Sequence, residues 1–329
     1  MRAGRAIPWT YRPTAGNMIH RARSGTEPDS LYRTLEVPML PEFELLMPRT
    51  LPEALEMLAE WAPDGMPIAG GTNIIPDLRG GRYRPACLVN VAGLPELGGI
   101  RQEDGILVIG GGVTIAEVLE DPLVAQWVPV LREAARSLAN PLVRNRATVA
   151  GNLANASPAA DMAPPLLVLD AEVELASREG TRRVPLKDFF LDVRRTVRQP
   201  HELITAICVP LPPAATRAHF FKVALRKANA IAVVNGAVRA DLGDDGSCQT
   251  ARIALGAVAP IPIRAYEAER ALEGRPLTPD IITRAARLAA EATRTIDDIR
   301  GSAAYRRHVT EVMVRRALEE APWSPNSSP

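Results

Sequence analysis

The residues best suited to binding chemistry lie in the stretch ATVAGNLANASPAAD, residues 147–161. It holds one glycine, two asparagines, one serine and one threonine among alanines, and it ends in an aspartate. A core strand would carry more branched apolar residues, and a surface loop would carry more charge. Asp161 would suit a ligand's hydroxyl groups because an ionised carboxylate only accepts hydrogen bonds. A helix cap or a surface carboxylate is the alternative interpretation of Asp161.

Two other glycine-rich turns occur earlier in the chain. In MPIAGGTNIIPDLRGG, a strand over residues 66–69 meets Gly70-Gly71, and a short helix is predicted from Ile74. Successive backbone N–H groups at such a turn form an anion site, and a plain tight turn is the alternative. The stretch GILVIGGGVTIAEVLED predicts a strand over residues 106–109, a triple-glycine turn and a helix. No dinucleotide-binding G-x-G-x-x-G and no P-loop motif is present, which excludes the Rossmann and P-loop sites.

The elements around the 147–161 stretch are predicted from its local pattern. We expect residues 148–150 to be extended, Gly151 and Asn152 to form a turn, and residues 158–162 to begin a short helix. The chain would then present three small-residue turns where secondary structure changes. Together they predict a long ligand with phosphates and a polyol or sugar, laid against the backbone.

Composition limits the remaining function classes. The chain has 329 residues and a formal net charge of +1, which gives no electrostatic indication of nucleic-acid or membrane partners. No apolar run is long enough for a transmembrane helix. The three cysteines are far apart and the four histidines lack metal-ligand spacing, so we predict no metal site and a cytoplasmic location. A redox centre on this chain would therefore be organic.

The predicted elements divide the chain into four regions. Thr50 is expected to cap a helix with Glu53 completing a capping box, and Thr114 has the same spacing to Glu117. The proline-rich segment VPLPPAATR separates two periodic regions. We therefore predict a disordered extension over residues 1–40, domains over 41–212 and 213–321, and a disordered tail over 322–329. The extension could instead reflect a start codon placed too early, with Met18 or Met39 as alternatives, or a partner-binding arm.

Three stretches resemble a known family in order and content. AGGTNIIPDLR, IGGGVTIAEV and RNRATVAGNLANASPAADMAP resemble the FAD-binding subunit of the molybdenum hydroxylases, the family of xanthine dehydrogenase and carbon monoxide dehydrogenase. RIALGAVAPIPIRA, near residue 252, is similar to the family's C-terminal domain. The resemblance spans residues 41–321. It implies an α+β fold with a two-lobed, vanillyl-alcohol-oxidase-type (PCMH) FAD-binding domain, followed by a smaller α+β domain.

The resemblance also implies which residues bind FAD and which chemistry follows. The FAD pyrophosphate would lie on the first glycine-rich loop. The third motif would lie near the same pyrophosphate and near the ribityl chain. Two positions near the isoalloxazine ring carry alternatives, a buried strand residue for Ile204 and a solvated lysine for Lys222. The implied residues are Ile68, Ala69, Gly70, Gly71, Thr72, Asn73, Ile74, Thr148, Gly151, Asn152, Asp161, Ile204 and Lys222.

Two positions depart from the family pattern. Asn73 stands where an acid or another polar group is common, which is tolerable. Ala150 stands where the family has the first of two glycines. If that position needs a positive φ, alanine costs about 1–2 kcal/mol, and if its φ is negative, alanine costs little.

The function implied by the resemblance is electron transfer without a catalytic acid or base on this chain. A molybdopterin-binding large subunit oxidises the substrate, and a small subunit with two [2Fe-2S] clusters passes electrons to FAD on this chain, in a dimer of heterotrimers. NAD, quinone and oxygen are all open as acceptors. The Arg-rich segment 182–198 and the surroundings of Trp127 are candidate partner contacts or solvated faces. A self-contained FAD oxidase and a scaffold subunit without flavin are the alternative functions.

Overall fold

The computed structural model describes residues 40–320, so the predicted tail and all but the last residue of the predicted extension lie outside it. The strands are β1 (Glu44–Leu46), β2 (Gly65–Ile68), β3 (Cys87–Asn90), β4 (Ile100–Glu103), β5 (Ile106–Gly110), β6 (Glu172–Ser177), β7 (Gly180–Pro185), β8 (Phe190–Asp192), β9 (Arg195–Thr196), β10 (Leu203–Pro210), β11 (Thr216–Ala224), β12 (Ala232–Leu242), β13 (Ser247–Gly256), β14 (Ile263–Arg264) and β15 (Arg275–Pro276). The α-helices are α1 (Leu51–Glu60), α2 (Ile74–Arg79), α3 (Ile115–Glu120), α4 (Pro122–Trp127), α5 (Pro129–Ser137), α6 (Pro141–Arg144), α7 (Val149–Ala154), α8 (Ala163–Val168), α9 (Tyr266–Leu272), α10 (Pro279–Glu291) and α11 (Ala303–Glu320).

The first lobe is a small parallel sheet of order β1-β3-β2, with α1 packed on it. The Thr50 hydroxyl caps α1 by accepting a hydrogen bond from the Glu53 N–H at 3.3 Å, as predicted. The Glu53 carboxylate accepts from the Arg49 N–H instead of the Thr50 N–H, so only half of the expected capping box forms. Strand β2 runs parallel to β3. Its carboxyl end, at Ile68, leads into the Gly70-Gly71 loop at one edge of the sheet.

The second lobe is an antiparallel sheet of order β4-β5-β10-β6-β7 with the short helices α3 to α8 between its strands in sequence. Its central strand β10 is buried along almost its whole length and pairs with both β5 and β6. Thr114 and Glu117 form the predicted capping box at the start of α3. The large core beside this sheet includes Leu107, Ile109 and Phe189, all fully buried.

The C-terminal part is a sheet of order β11-β12-β13-β14, with β15 paired to β13 and helices α9 to α11 packed on it. Strands β12 and β13 run antiparallel and are joined through residues 243–246. The predicted domain boundary at residues 212/213 falls in the connection between β10 and β11. The α+β fold class is confirmed. None of the helices in residues 40–320 combines the length and the apolar character needed to span a membrane.

The prediction for residues 148–162 was wrong in its elements. Of residues 148–150, only Thr148 is extended as expected, and it also caps the helix that follows. Helix α7 is formed by Val149–Ala154 and includes Gly151 and Asn152, for which we expected a turn. The Thr148 hydroxyl accepts a hydrogen bond from the Gly151 N–H at 2.9 Å, and this cap starts a helix in an alanine-containing segment. Helix α8 begins at Ala163, later than expected, because prolines occupy its first turn.

Candidate functional site

A cleft of about 500 Å³ runs between the first lobe and the α6–α8 segment of the second lobe. Its volume is in the range of small-molecule and cofactor sites. Its walls come from four parts of the chain that are distant in sequence. These are residues 66–74 with Asp77 and Tyr83; Leu138, Ala139, Val143, Ala147, Thr148, Gly151, Asn152, Ala154, Asn155, Ser157 and residues 159–161; Arg194 and Arg198; and residues 229–231.

The loop from Gly70 to Ile74 presents backbone donors to this cleft. Over the part of the chain that the structure describes, the N–H groups of these five residues have no backbone hydrogen-bond acceptor. Gly71 has a φ of +75°, a conformation that glycine adopts without strain. Consecutive free N–H groups around a left-handed residue form a concave anion site. The geometry therefore favours the anion-site interpretation over a plain turn.

The first loop and the third motif touch through backbone alone at Gly70. A Cβ atom placed on Gly70 would lie 1.7 Å from the Arg146 carbonyl oxygen and 3.0 Å from the Ala147 nitrogen. Only a residue without a side chain allows this approach. Gly70 is therefore required for the contact between the two walls of the cleft, and Gly71 for the conformation of the loop.

The triple-glycine turn does not line the cleft, contrary to the expectation that it would contact a ligand. A Cβ atom on Gly110 would lie 2.3 Å from the Leu97 carbonyl oxygen, and one on Gly111 would lie 2.3 Å from the Ile204 carbonyl oxygen. These glycines therefore serve close backbone packing. The segment after them positions the third motif, since the Ile115 N–H donates to the Ala147 carbonyl and Thr114 bridges to Thr148.

Asp161 lies at one wall of the cleft and is held by two side chains from the C-terminal sheet. Its carboxylate accepts from Lys222 Nζ at 2.6 Å and from Asn235 Nδ2 at 2.9 Å. Burial raises the pKa of Asp161, and the ion pair with Lys222 and the Asn235 hydrogen bond oppose that rise. The surface-carboxylate interpretation of Asp161 is thus wrong.

Lys222 is also buried, with its side chain 9% exposed, so the solvated-lysine interpretation is wrong as well. Its ammonium donates to the Ser137 carbonyl at 3.2 Å in addition to Asp161. Lys222 is not among the residues that line the cleft and reaches it through Asp161.

Ile204 is the one predicted site residue that neither lines the cleft nor bonds through its side chain to a residue that does. It lies in β10 opposite Leu175, is 4% exposed and packs in the core of the second lobe. The structure favours the buried-strand interpretation of Ile204, because β10 is flanked by strands on both sides. Apart from Ile204 and Lys222, all the predicted residues line the cleft, namely Ile68 to Ile74, Thr148, Gly151, Asn152 and Asp161.

The sequence reasoning missed the basic side chains of the cleft. Arg194 and Arg198 line it, although the sequence pattern of their segment indicates a partner contact or a solvated face. Arg182, in the same segment, pairs with Glu202 at 2.6 Å. The signal was the density of arginines after β8, but the sequence does not show which of them turn inward. Trp127, the other candidate contact, packs partly against the core of the second lobe.

The structure gives a definite expectation for Ala150. This residue is buried in helix α7 and is absent from the positive-φ residues of the described chain, so glycine is not needed there. Ala150→Gly should leave FAD affinity within about twofold while lowering stability by about 1 kcal/mol, because glycine is a poorer helix former. Titration of the apoprotein with FAD and urea unfolding measure the two effects. A gain of tenfold in affinity would contradict this account.

Comparison with known proteins identifies the family of this chain. A family model described as the FAD binding domain in molybdopterin dehydrogenase matches residues 41–212. A second, described as the CO dehydrogenase flavoprotein C-terminal domain, matches residues 219–321. Both matches fall on the described part of the chain, apart from residue 321.

Individual relatives span nearly the same length. The chain is 34% identical over 284 residues to the carbon monoxide dehydrogenase medium chain of Afipia carboxidovorans, covering 86% of this chain and 98% of that protein. It is 34% identical over 275 residues to a putative xanthine dehydrogenase FAD-binding subunit of Escherichia coli, covering 83% and 93%. Among solved structures, carbon monoxide dehydrogenase from Hydrogenophaga pseudoflava matches with a TM-score of 0.83 at 32% identity, covering 86% of this chain and 98% of that one.

Proposed function

Because this chain belongs to the family of FAD-binding medium subunits of the molybdenum hydroxylases, we propose that it binds one FAD non-covalently in the cleft and relays electrons through it. The electrons come from [2Fe-2S] clusters on a small partner subunit and leave to an external acceptor. A molybdopterin-binding large subunit oxidises the substrate. The chain is thus an oxidoreductase subunit of the xanthine dehydrogenase family.

The observation that carries this proposal is the run of free N–H groups from Gly70 to Ile74. A diphosphate has acceptor oxygens and negative charge, which are the properties such a loop binds. Arg198 adds positive charge to the same cleft. The cleft residues therefore fit the diphosphate centre of FAD, and the contact at Gly70 keeps the loop against the third motif.

The rest of the cleft fits the sugar and sugar-alcohol part of the cofactor. Asp161 accepts hydrogen bonds only, and Lys222 and Asn235 fix the orientation of its carboxylate. Leu138, Val143 and Ile231 supply apolar wall area that excludes water from a bound ligand. FAD bound there would supply the redox chemistry, and this chain's residues bind and orient it. No proton transfer from a side chain of this protein is required.

The proposed partner subunits are inferred from the family and not from a feature of this chain. Its relatives are medium chains or subunits of larger enzymes, and another matched structure is described as a Cu,Mo-CO dehydrogenase. We propose a dimer of heterotrimers with the large molybdopterin subunit and the small [2Fe-2S] subunit. The complex then contains the electron source for the cleft.

Co-purification and anaerobic mixing test this function. Purification from the native source should bring down a large and a small subunit with this chain. The small subunit, reduced beforehand and freed of reductant, should bleach the visible flavin band of the FAD-loaded chain on anaerobic mixing. The FAD-loaded chain mixed with the oxidised small subunit is the control and should keep its band. A single-subunit preparation that oxidises a substrate at full rate would instead indicate a self-contained oxidase.

A further inference from the structure

One guanidinium connects the two walls of the cleft, in addition to the contact at Gly70. Arg194 Nη1 donates to Asp77 Oδ2 at 2.8 Å and to Asn155 Oδ1 at 3.0 Å. Asp77 lies on α2, the helix that follows the Gly70–Ile74 loop. Asn155 is the C-cap of α7, the helix that follows Thr148. Arg194 therefore links the two helices whose preceding loops form the cleft.

The backbone around Arg194 is held in the conformation that this link needs. Arg194 has a φ of +58°, in the left-handed region that non-glycine residues seldom adopt, and so has its contact residue Ala156 with a φ of +44°. The Arg194 N–H donates to the Ala156 carbonyl at 2.9 Å, which docks the β8–β9 turn on the end of α7. A disfavoured conformation persists where the surrounding contacts determine it, and such residues concentrate at binding sites.

Asp77 is shared between two arginines, and only one of them faces the third motif. Its Oδ1 pairs with Arg82 at 2.7 Å, on the same short segment of chain, and its Oδ2 pairs with Arg194. The Arg194 side chain is 29% exposed, whereas that of Arg82 is 47% exposed. The ion pair of Arg194 with Asp77 thus holds the two cleft walls together more strongly than a solvated surface ion pair would, because it is partly buried and Arg194 is also bonded to Asn155.

We propose that Arg194 is a positioning residue for FAD, which acts through Asp77 and Asn155 to fix the separation of the two loops. This inference rests on the proposed function, since it assigns a role within the same cleft. Both bonds come from Nη1, which the rigid plane of the guanidinium holds in a fixed orientation between the two acceptors. The ammonium of a lysine carries the same charge without that planar geometry. The effect of Arg194 on FAD retention therefore comes from the bridge it forms between α2 and α7.

The test compares FAD dissociation constants of full-length variants by quenching of flavin fluorescence. Arg194→Met, Arg194→Lys and Asp77→Asn should each weaken FAD binding about tenfold, the scale of a lost charged hydrogen bond. Arg195→Met is the matched control, because Arg195 is the exposed neighbour and carries the same charge. It should retain the affinity of the parent chain. FAD affinity is measured under conditions in which urea titration shows every apoprotein to be fully folded, which separates positioning from a general loss of stability.

A double-mutant cycle distinguishes positioning from a direct charge effect. The Arg194→Met/Asp77→Asn double variant should bind FAD no more weakly than either single variant, because both changes break one bridge. Additive losses, or full rescue by Arg194→Lys, would overturn the proposal and assign Arg194 a charge contact with the cofactor. If Arg194→Met does not fold, Asp77→Asn against Arg195→Met decides the question. A parent chain that binds no FAD would instead refute the proposed function itself.

Discussion

The Gly70→Ala variant is expected to bind FAD about 100-fold more weakly than the parent chain, because a methyl group cannot fit between the two cleft walls. Its Cβ would overlap the Arg146 carbonyl oxygen at 1.7 Å, and the neighbouring atoms are backbone that cannot rotate away. The Gly70–Ile74 loop must therefore move off the third motif. The diphosphate donors and Asp161 would then no longer be correctly spaced for one ligand. Titration of the apoprotein with FAD measures the loss.

Two other glycine variants are compared with Gly70→Ala, one in the same loop and one as a control outside the cleft. Gly71→Ala places its Cβ at ordinary contact distances, 3.4 Å from Ile75 and 3.7 Å from Ile68, so only the positive φ opposes it. We expect a loss of about tenfold there, from roughly 1–2 kcal/mol of backbone strain. Gly81 also has a positive φ but no atom within 4 Å of its Cβ position and no place in the cleft. Gly81→Ala should retain FAD affinity, and unchanged affinity in Gly70→Ala would show that the loop contact is dispensable.

Lys222→Met is expected to lower the free energy of unfolding by about 3 kcal/mol near neutral pH, because it leaves a buried carboxylate without its cation. Asp161 and Lys222 are both about nine-tenths buried, and their atoms are 2.6 Å apart. Urea unfolding of the apoprotein measures the change. Lys227→Met, at an exposed lysine of the following loop, is the control and should stay within about 0.5 kcal/mol of the parent.

The pH dependence of this loss identifies its cause. Burial already raises the pKa of Asp161, and removing Lys222 removes the main opposing effect, so the pKa rises further. A carboxyl whose folded pKa exceeds its unfolded pKa contributes stability at low pH and loses it as pH rises through the folded value. The deficit of Lys222→Met should thus be smaller near about pH 5 than near about pH 8. The Lys222→Met/Asp161→Asn double variant should recover most of the loss, and a deficit independent of pH would contradict the buried-charge account.

The sequence predicted the features that depend on neighbouring residues. The Thr50 and Thr114 caps are set within one helical turn, and the Gly70-Gly71 loop is set by local backbone freedom. The predicted elements at residues 148–152 failed because small residues fit both a turn and a capped helix, and the Thr148 hydrogen bond decides between them. The prediction that the triple-glycine turn contacts a ligand was wrong for a related reason. Glycine permits close approach of a ligand and of another backbone equally well, and only the fold shows which one occurs.

The parts of the site that escaped prediction depend on distant residues. Arg194 meets Asp77 across 117 positions of sequence, and Asp161 meets Lys222 and Asn235 across 61 and 74. No local pattern marks which arginine of an Arg-rich segment will reach a carboxylate on another lobe. The resemblance to the flavoprotein family supplied Asp161 and Lys222 as separate positions. Their ion pair appears only when the C-terminal sheet packs against the second lobe.

Acid precipitation of the protein purified from its native source tests the central claim most directly. We expect denaturation to release yellow FAD into the supernatant at one equivalent per chain, because the cleft would hold the cofactor by backbone donors, Asp161 and the charge of Arg198. Flavin that stays on the precipitated chain would contradict non-covalent binding and favour a self-contained oxidase with an attached cofactor. A purified chain without any flavin would contradict the account as a whole and indicate a scaffold subunit.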